Sequence, residues 1–191
     1  MEDINIVALI NTDIESKQLT SPSCVLFDKL ENLWLGSSHC ELSIILGTLE
    51  YVRGLYHTHH WISRGDSFYG DHLLFSRLYD SIVEEIDIVA EKAVGVSTSA
   101  AVDYSRTISQ VCILNDMFGS QGVMLLPDAN GLAKKSLDIE TAFLEMLQLA
   151  VDSLEKNSTM TLGIDNMLAA IYDTHEGHVY LLKQRINSEF L

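Results

Sequence analysis

HHWISRGDSFYGDHLLFSRLYDSIVEEIDIVAEKAVG, residues 59–95, holds both the break between two helices and the chemistry that sets them apart. Gly65 interrupts one apolar pattern. Beyond it Leu74, Phe75, Leu78, Ile82, Ile86, Val89 and Ala90 recur at helical spacing, which puts them on one buried face of a helix running to Val94 and Gly95. The same stretch carries two imidazoles, His60 and His72, and two carboxylates one turn apart, Asp87 and Glu91. Calcium and magnesium take oxygen ligands, whereas imidazole with carboxylate suits a redox-active iron, so iron is the cation these residues predict.

The flanking sequence repeats the helical period. Leu42, Ile45, Leu46, Leu49, Val52 and Tyr56 predict a helix over about 38–63. Phe143, Met146, Leu147, Ala150 and Leu154 predict another over 139–156, and Leu168, Ile171, His175, Val179 and Leu182 a last one over 164–187. Two Pro and 11 Gly against 47% hydrophobic residues favour an all-α protein, and 191 residues suit one domain spanning 1–191. Its expected parts are an N-terminal arm at 1–37, two helices in 38–95, a long crossover at 96–138 and two helices in 139–191. Four helices with one long connection in the middle define a ferritin-like four-helix bundle, whose second and third helices run parallel. The apolar patch Val25, Leu26, Phe27, Leu30, Leu33, Trp34 and Leu35 predicts that the arm docks, with Trp34 as packing. In the crossover a short helix near 99–117 is expected, and SQGVMLLPDANG (120–131) reads as turns around a short strand or apolar tip.

Composition excludes several functions. Twelve Lys and Arg against 27 Asp and Glu give a net charge of -15, which repels phosphate backbones and anionic lipid and attracts cations. No uninterrupted apolar run is long enough to span a bilayer and no basic, apolar leader opens the chain, so a soluble, cytoplasmic protein is expected. Cys24, Cys40 and Cys112 form no CxxC and predict buried free thiols.

Spacing decides how the metal ligands meet. His72 and Asp87 lie 15 residues apart, about 22 Å along one helix, so they cannot hold one ion within a single chain. They are only about 60° apart around the axis. Two copies packed antiparallel about a two-fold axis bring the His72 end of one to the Asp87 and Glu91 end of the other, giving two equivalent sites per dimer. His60, folded back across the Gly65 turn, would complete the set. His57 and His59 diverge from His60 by about 100° per residue and are expected to be exposed or to support the ligands from behind. His175 and His178, three apart, could form a separate metal pair.

His60-Trp61, Gly65, Phe68, His72, Phe75, Asp87 and Ala90-Glu91 resemble, in type and spacing, the signature of the Dps miniferritins. The likeness is clearest over about 49–95 and returns more weakly in TLGIDNMLAAIYDTHEGHVYLLKQRI. It implies a hollow dodecamer that binds Fe(II) at two-fold interfaces, oxidises it preferentially with hydrogen peroxide, stores ferric iron and so protects against oxidative stress. His60 and His72 would come from one subunit and Asp87 and Glu91 from its partner, with Trp61 beside the iron taking up oxidising equivalents. The ordinary ferritin scheme fits less well, since none of the 13 Glu has His three positions later.

Three departures from the family qualify this. Ser76 stands where the family places Asp one turn after the second His, which predicts weakened iron oxidation. Asp80 lies too far along the helix to replace it. Asp165 falls where the family lines its three-fold pore with acids, but its neighbours Leu162, Gly163 and Ile164 are not acidic. The family's Lys- or Arg-rich DNA-binding tail is missing from 1–37, where Lys17 and Lys29 are the only cations, so direct DNA binding is not expected. Two alternatives stay open: a structural or interaction protein with weakened ferroxidase activity on the same scaffold, and a dimer stabilised by zinc, which accepts the same ligands.

Overall fold

A computed structural model describes residues 21–36, 38–119 and 129–187. Six helices make up the described chain: α1 (Pro22–Leu33), α2 (Cys40–Ile62), α3 (Phe68–Val96), α4 (Tyr104–Gly119), α5 (Ala129–Lys156) and α6 (Leu162–Asn187). A single 3-10 turn, Ser99–Val102, precedes α4, and no strand occurs among the described residues.

The bundle is α2, α3, α5 and α6. Short connections at 63–67 and 157–161 fold α3 back on α2 and α6 back on α5. Gly65, at φ +82, makes the first of these turns in the left-handed region that a side chain resists. Leu42, Ile45, Leu49, Val52 and Tyr56 of α2 face Phe75, Leu78, Ile82 and Val89 of α3 and Phe143, Met146, Leu147 and Leu154 of α5, all buried in one core. Each fully buried side chain of this size contributes roughly 1.5–3 kcal/mol by leaving water. At one end of the bundle Arg185 of α6 grips buried Asp71 of α3 through both carboxylate oxygens and reaches Asn130 of α5 at 3.0 Å.

Two parts of the sequence reading move. The third bundle helix starts at Ala129, ten residues before the expected Ile139, because Leu132, Ala133 and Ser136 continue its buried stripe toward the N-terminus. Asn130 and Gly131, read as turn residues, lie inside that helix; the rest of SQGVMLLPDANG up to Asp128 lies outside the described residues. The arm contains α1, begun by the Ser21 side chain accepting the Cys24 N–H and by Pro22 in the first turn. It docks through Leu26, Phe27 and Leu30, and through Ser23 donating to Glu145 of α5. The cysteines are not buried as expected: Cys24 and Cys40 are half-buried and Cys112 is exposed.

The crossover helix α4 packs through buried Leu114 and the Phe118 ring on Tyr51, and is also tied by Gln110. Buried Gln110 accepts the Trp34 indole N–H at 2.8 Å and donates to the Ile44 carbonyl at 2.6 Å, joining the end of α1 to α2. Gly47 makes this approach possible, since a Cβ there would stand 2.5 Å from the Gln110 side chain. Three hydrogen bonds to Trp34, Ile44 and Thr48 hold that amide, so it has little freedom to yield. Gly47→Ala is expected to destabilise the fold by about 1–3 kcal/mol, and Gln110→Ala to cost less in that background than alone, as urea unfolding of the double-mutant cycle will report.

Candidate metal centre

His60 closes α2 and His72 opens the second turn of α3, so the Gly65 turn brings the rings together. They stack with centroids 3.7 Å apart. Their bonds are reciprocal: His60 Nδ1 lies 2.9 Å from the His72 carbonyl, and His72 Nδ1 lies 3.1 Å from the His60 carbonyl. A carbonyl only accepts, so each Nδ1 donates, and in the neutral ring each Nε2 keeps a lone pair. This is the outer support that metal-ligating imidazoles usually have, with a backbone carbonyl fixing tautomer and ring direction.

Around this pair Trp61 is 66% exposed and His57 packs between the Trp61 and Tyr79 rings, with centroids at 4.0 and 4.5 Å. His59 turns the other way. It is buried on Ser136 of α5 at 3.0 Å, and burial, aided by Lys135, pushes its pKa down to about 4. The expectation of an exposed or supporting His59 therefore gives way to a neutral core histidine. Asp71 is likewise committed to Arg185, and Ser76 is half-buried with its hydroxyl 3.4 Å from Asp80.

Asp87 and Glu91 are exposed on the far half of α3, separated from His72 by the helix between them. Val83, Asp87 and Val94 fall within about 60° of His72 around the axis, so apolar and carboxylate groups share one outward face. Val83 is 49% and Val94 41% exposed on it. Asp165, in the first turn of α6, is exposed beside a surface groove of about 380 Å³ that also holds Asp173 and Glu176.

A second constellation lies inside the bundle. Glu140 of α5 is fully buried; one of its oxygens accepts the Tyr56 hydroxyl of α2 and faces His178 Nδ1 at 3.1 Å, while the other faces His175 Nδ1. His175 Nε2 reaches Glu85 of α3 at 3.1 Å. Burial raises the Glu140 carboxyl, but hydrogen bonds from His175 and His178 prevail and hold it down at about 2. Burial lowers His175, but its bonds to Glu140 and Glu85 prevail and raise it to about 9. Desolvation, with Glu140 alongside, pushes Tyr56 well above the usual phenol range. The sequence reading singled out His175 and His178 and missed both carboxylates. The missed signal was register: Glu85 falls on the Leu78, Ile82 and Val89 stripe, and Glu140 on the Ala133, Ser136, Phe143 and Leu147 stripe.

Glu31, Cys40 and Glu41 also converge, but burial and the two carboxylates push the Cys40 thiol up to about 12, and Glu41 is taken up by Ser153 at 2.7 Å. That group belongs to packing. No described helix is long and apolar enough to cross a membrane.

These helices define a ferritin-like four-helix bundle with a helical crossover. Solved structures of similar fold include three of Dps proteins. Dps from Thermosynechococcus elongatus aligns with TM-score 0.63 at 14% identity, covering 88% of this chain and 96% of its own. DpsC from Streptomyces coelicolor aligns with TM-score 0.64 at 20% identity, covering 78% and 83%, and a histidine-to-glycine mutant of Listeria innocua Dps with TM-score 0.64 at 18%, covering 76% and 93%. No protein-family model and no curated protein matches the sequence.

His175 and His59 give opposite pH dependences in protein freed of metal. His175 is raised from 6.5 to about 9, so its contribution is complete below pH 6.5 and lost as pH rises through 9. His59 is lowered, so stability falls as pH drops from 6.5 toward 4. Urea unfolding in a chelator is expected to show both slopes, with His175→Gln flattening the alkaline one, on the order of a few kcal/mol, and leaving the acid one.

Proposed function

We propose that this protein binds Fe(II) on the His60–His72 face, oxidises it with hydrogen peroxide and retains the ferric product within an oligomeric shell, protecting its surroundings from oxidative damage. The reciprocal bonds between the two histidines carry this reading. They present two imidazole lone pairs together at the surface, already in the tautomer a metal needs. The oxygen ligands come from a second copy, whose Asp87 and Glu91 reach the pair when two α3 helices pack antiparallel. The exposed Leu73, Val83 and Val94 supply apolar area for that contact, and the Dps likeness of the fold favours a dodecamer built on it.

Each Fe(II) gives one electron. Two of them reduce one peroxide to two waters, with two protons taken up, so no hydroxyl radical is released. Exposed Trp61, next to His60 in sequence, is placed to accept an oxidising equivalent that strays from this path. The net charge of -15 gathers cations at the surface, and Asp165 with Asp173 and Glu176 offers an entry route for them. The same charge opposes DNA binding. Zinc would compete at the same ligands without changing oxidation state.

His60→Ala with His72→Ala is expected to lower peroxide-driven iron oxidation by about tenfold or more, since even an outer-shell loss costs metal sites about 10–100-fold. Stopped-flow oxidation after anaerobic loading of the sized oligomer measures it, and an unchanged rate removes these residues from the site. Ser76→Asp is expected to raise the rate, because it returns a carboxylate one turn from His72. Iron bound but not oxidised in both the parent and Ser76→Asp proteins would leave a structural metal site instead.

A further inference from the structure

The geometry points to a second metal site, inside each chain, in which Glu140, His175 and His178 hold one divalent transition-metal ion. One ligand atom from each of the three lies within 4.8 Å of the others, and all three residues are buried. They are distinct from the His60–His72 face, so this site stands or falls separately from the iron reading.

Hydrogen-bond direction supplies the reason. His178 Nε2 lies 3.0 Å from the Ser81 oxygen, whose single proton is given to the Leu78 carbonyl at 2.9 Å. Ser81 therefore accepts, and His178 Nε2 carries a hydrogen. His175 Nε2 faces the Glu85 carboxylate, which also only accepts, so it carries a hydrogen as well. Each ring is thus held from behind as a donor, and its other nitrogen, Nδ1, turns toward Glu140. In the metal-free chain each Nδ1 donates to Glu140, and a divalent cation would take the place of those two protons while the Nε2 hydrogens stay on Glu85 and Ser81.

Charge leads to the same ion. Glu85 and Glu140 place two negative charges in the bundle, and among the described residues no Lys or Arg pairs with either. The histidines facing them hold the protons in the metal-free chain, and a divalent ion that displaces the Nδ1 protons keeps the charge balanced. Two imidazole nitrogens and a carboxylate oxygen suit zinc, cobalt or iron(II), and not calcium or magnesium. Glu85 and Ser81 would act as outer partners that fix the rings, and the ion would tie α5 to α6 while Glu85 extends the link to α3. The pattern departs from the Glu-x-x-His scheme of ferritin-like di-metal sites, because here one helix gives His-x-x-His and another a single Glu.

The test uses the full chain carrying His60→Ala and His72→Ala, which removes the outer pair. After loading with Zn(II) and gel filtration, one ion per chain is expected, with X-ray absorption showing two imidazole nitrogens and a carboxylate oxygen at about 2.0–2.2 Å. Its thermal midpoint should rise with Zn(II) and fall back on chelation. Glu140→Gln or His178→Gln in that background should lose the ion. No retained ion, an oxygen-only ligand shell, or an ion kept undiminished by both folded variants overturns the proposal. Should those variants fail to fold, the absorption spectrum of the parent decides alone. An empty interior with rapid iron oxidation by the unaltered protein would refute this site and spare the outer one.

Discussion

The Glu140 carboxylate is where four helices meet. Tyr56 brings α2 to it, His175 and His178 bring α6, and Glu85 brings α3 through the far side of the His175 ring. A carboxylate in an apolar core is strongly unfavourable unless paired and hydrogen-bonded, and here its bonds lower its pKa against the full effect of burial. The interior is therefore specified by direction as well as by volume. An apolar residue at position 140 would fill space, but it would leave Tyr56, His175 and His178 with donors aimed at nothing.

That fixed interior is what sets the outer site. Tyr56 and His59 lie on the inward side of the last turns of α2, one on Glu140 and the other on Ser136 of α5. With both inward positions anchored, His60 is turned about 100° from His59 and comes out at the surface beside His72. The Gly65 turn then closes the reciprocal bonds. The surface histidines are oriented by the core beneath them, so the geometry of the pair depends on residues that never touch it.

Most of the bundle was legible in the sequence because its information is periodic. Leu78, Ile82 and Val89, or Phe143 and Leu147, announce a helix and its buried face without knowledge of any partner. The His60 and His72 pairing was legible too, since a turn of known length joins two such helices. What escaped depends on contact between segments far apart in the chain. Glu140 looks like any charged residue in a helix until Tyr56 and His175, separated from it by 84 and 35 positions, are placed against it. The early start of α5 escaped because Asn130-Gly131 is turn chemistry in isolation, and Asn130 is held in helix by packing and by the Arg185 bond. The fold likeness to Dps structures at 14–20% identity has the same origin: the pattern of faces persists where most residues differ.

Charge separates the two sites in kind. The outer pair is half-buried at the surface; the nearby Asp71 is locked to Arg185, and Ser76, a hydroxyl, stands one turn along α3 from His72. On the proposed reading it is completed by a second chain and releases what it handles. The inner cluster is the reverse: its groups are all in one chain, its rings are held from behind, and only Glu85 and His178 are slightly open to solvent. An ion taken there exchanges only when α3 and α6 part, which suits a permanent brace and not a turnover site. If both sites fill, the brace orders the turns of α2 that aim His60 outward, so the occupied core and the reacting surface become successive layers of one construction.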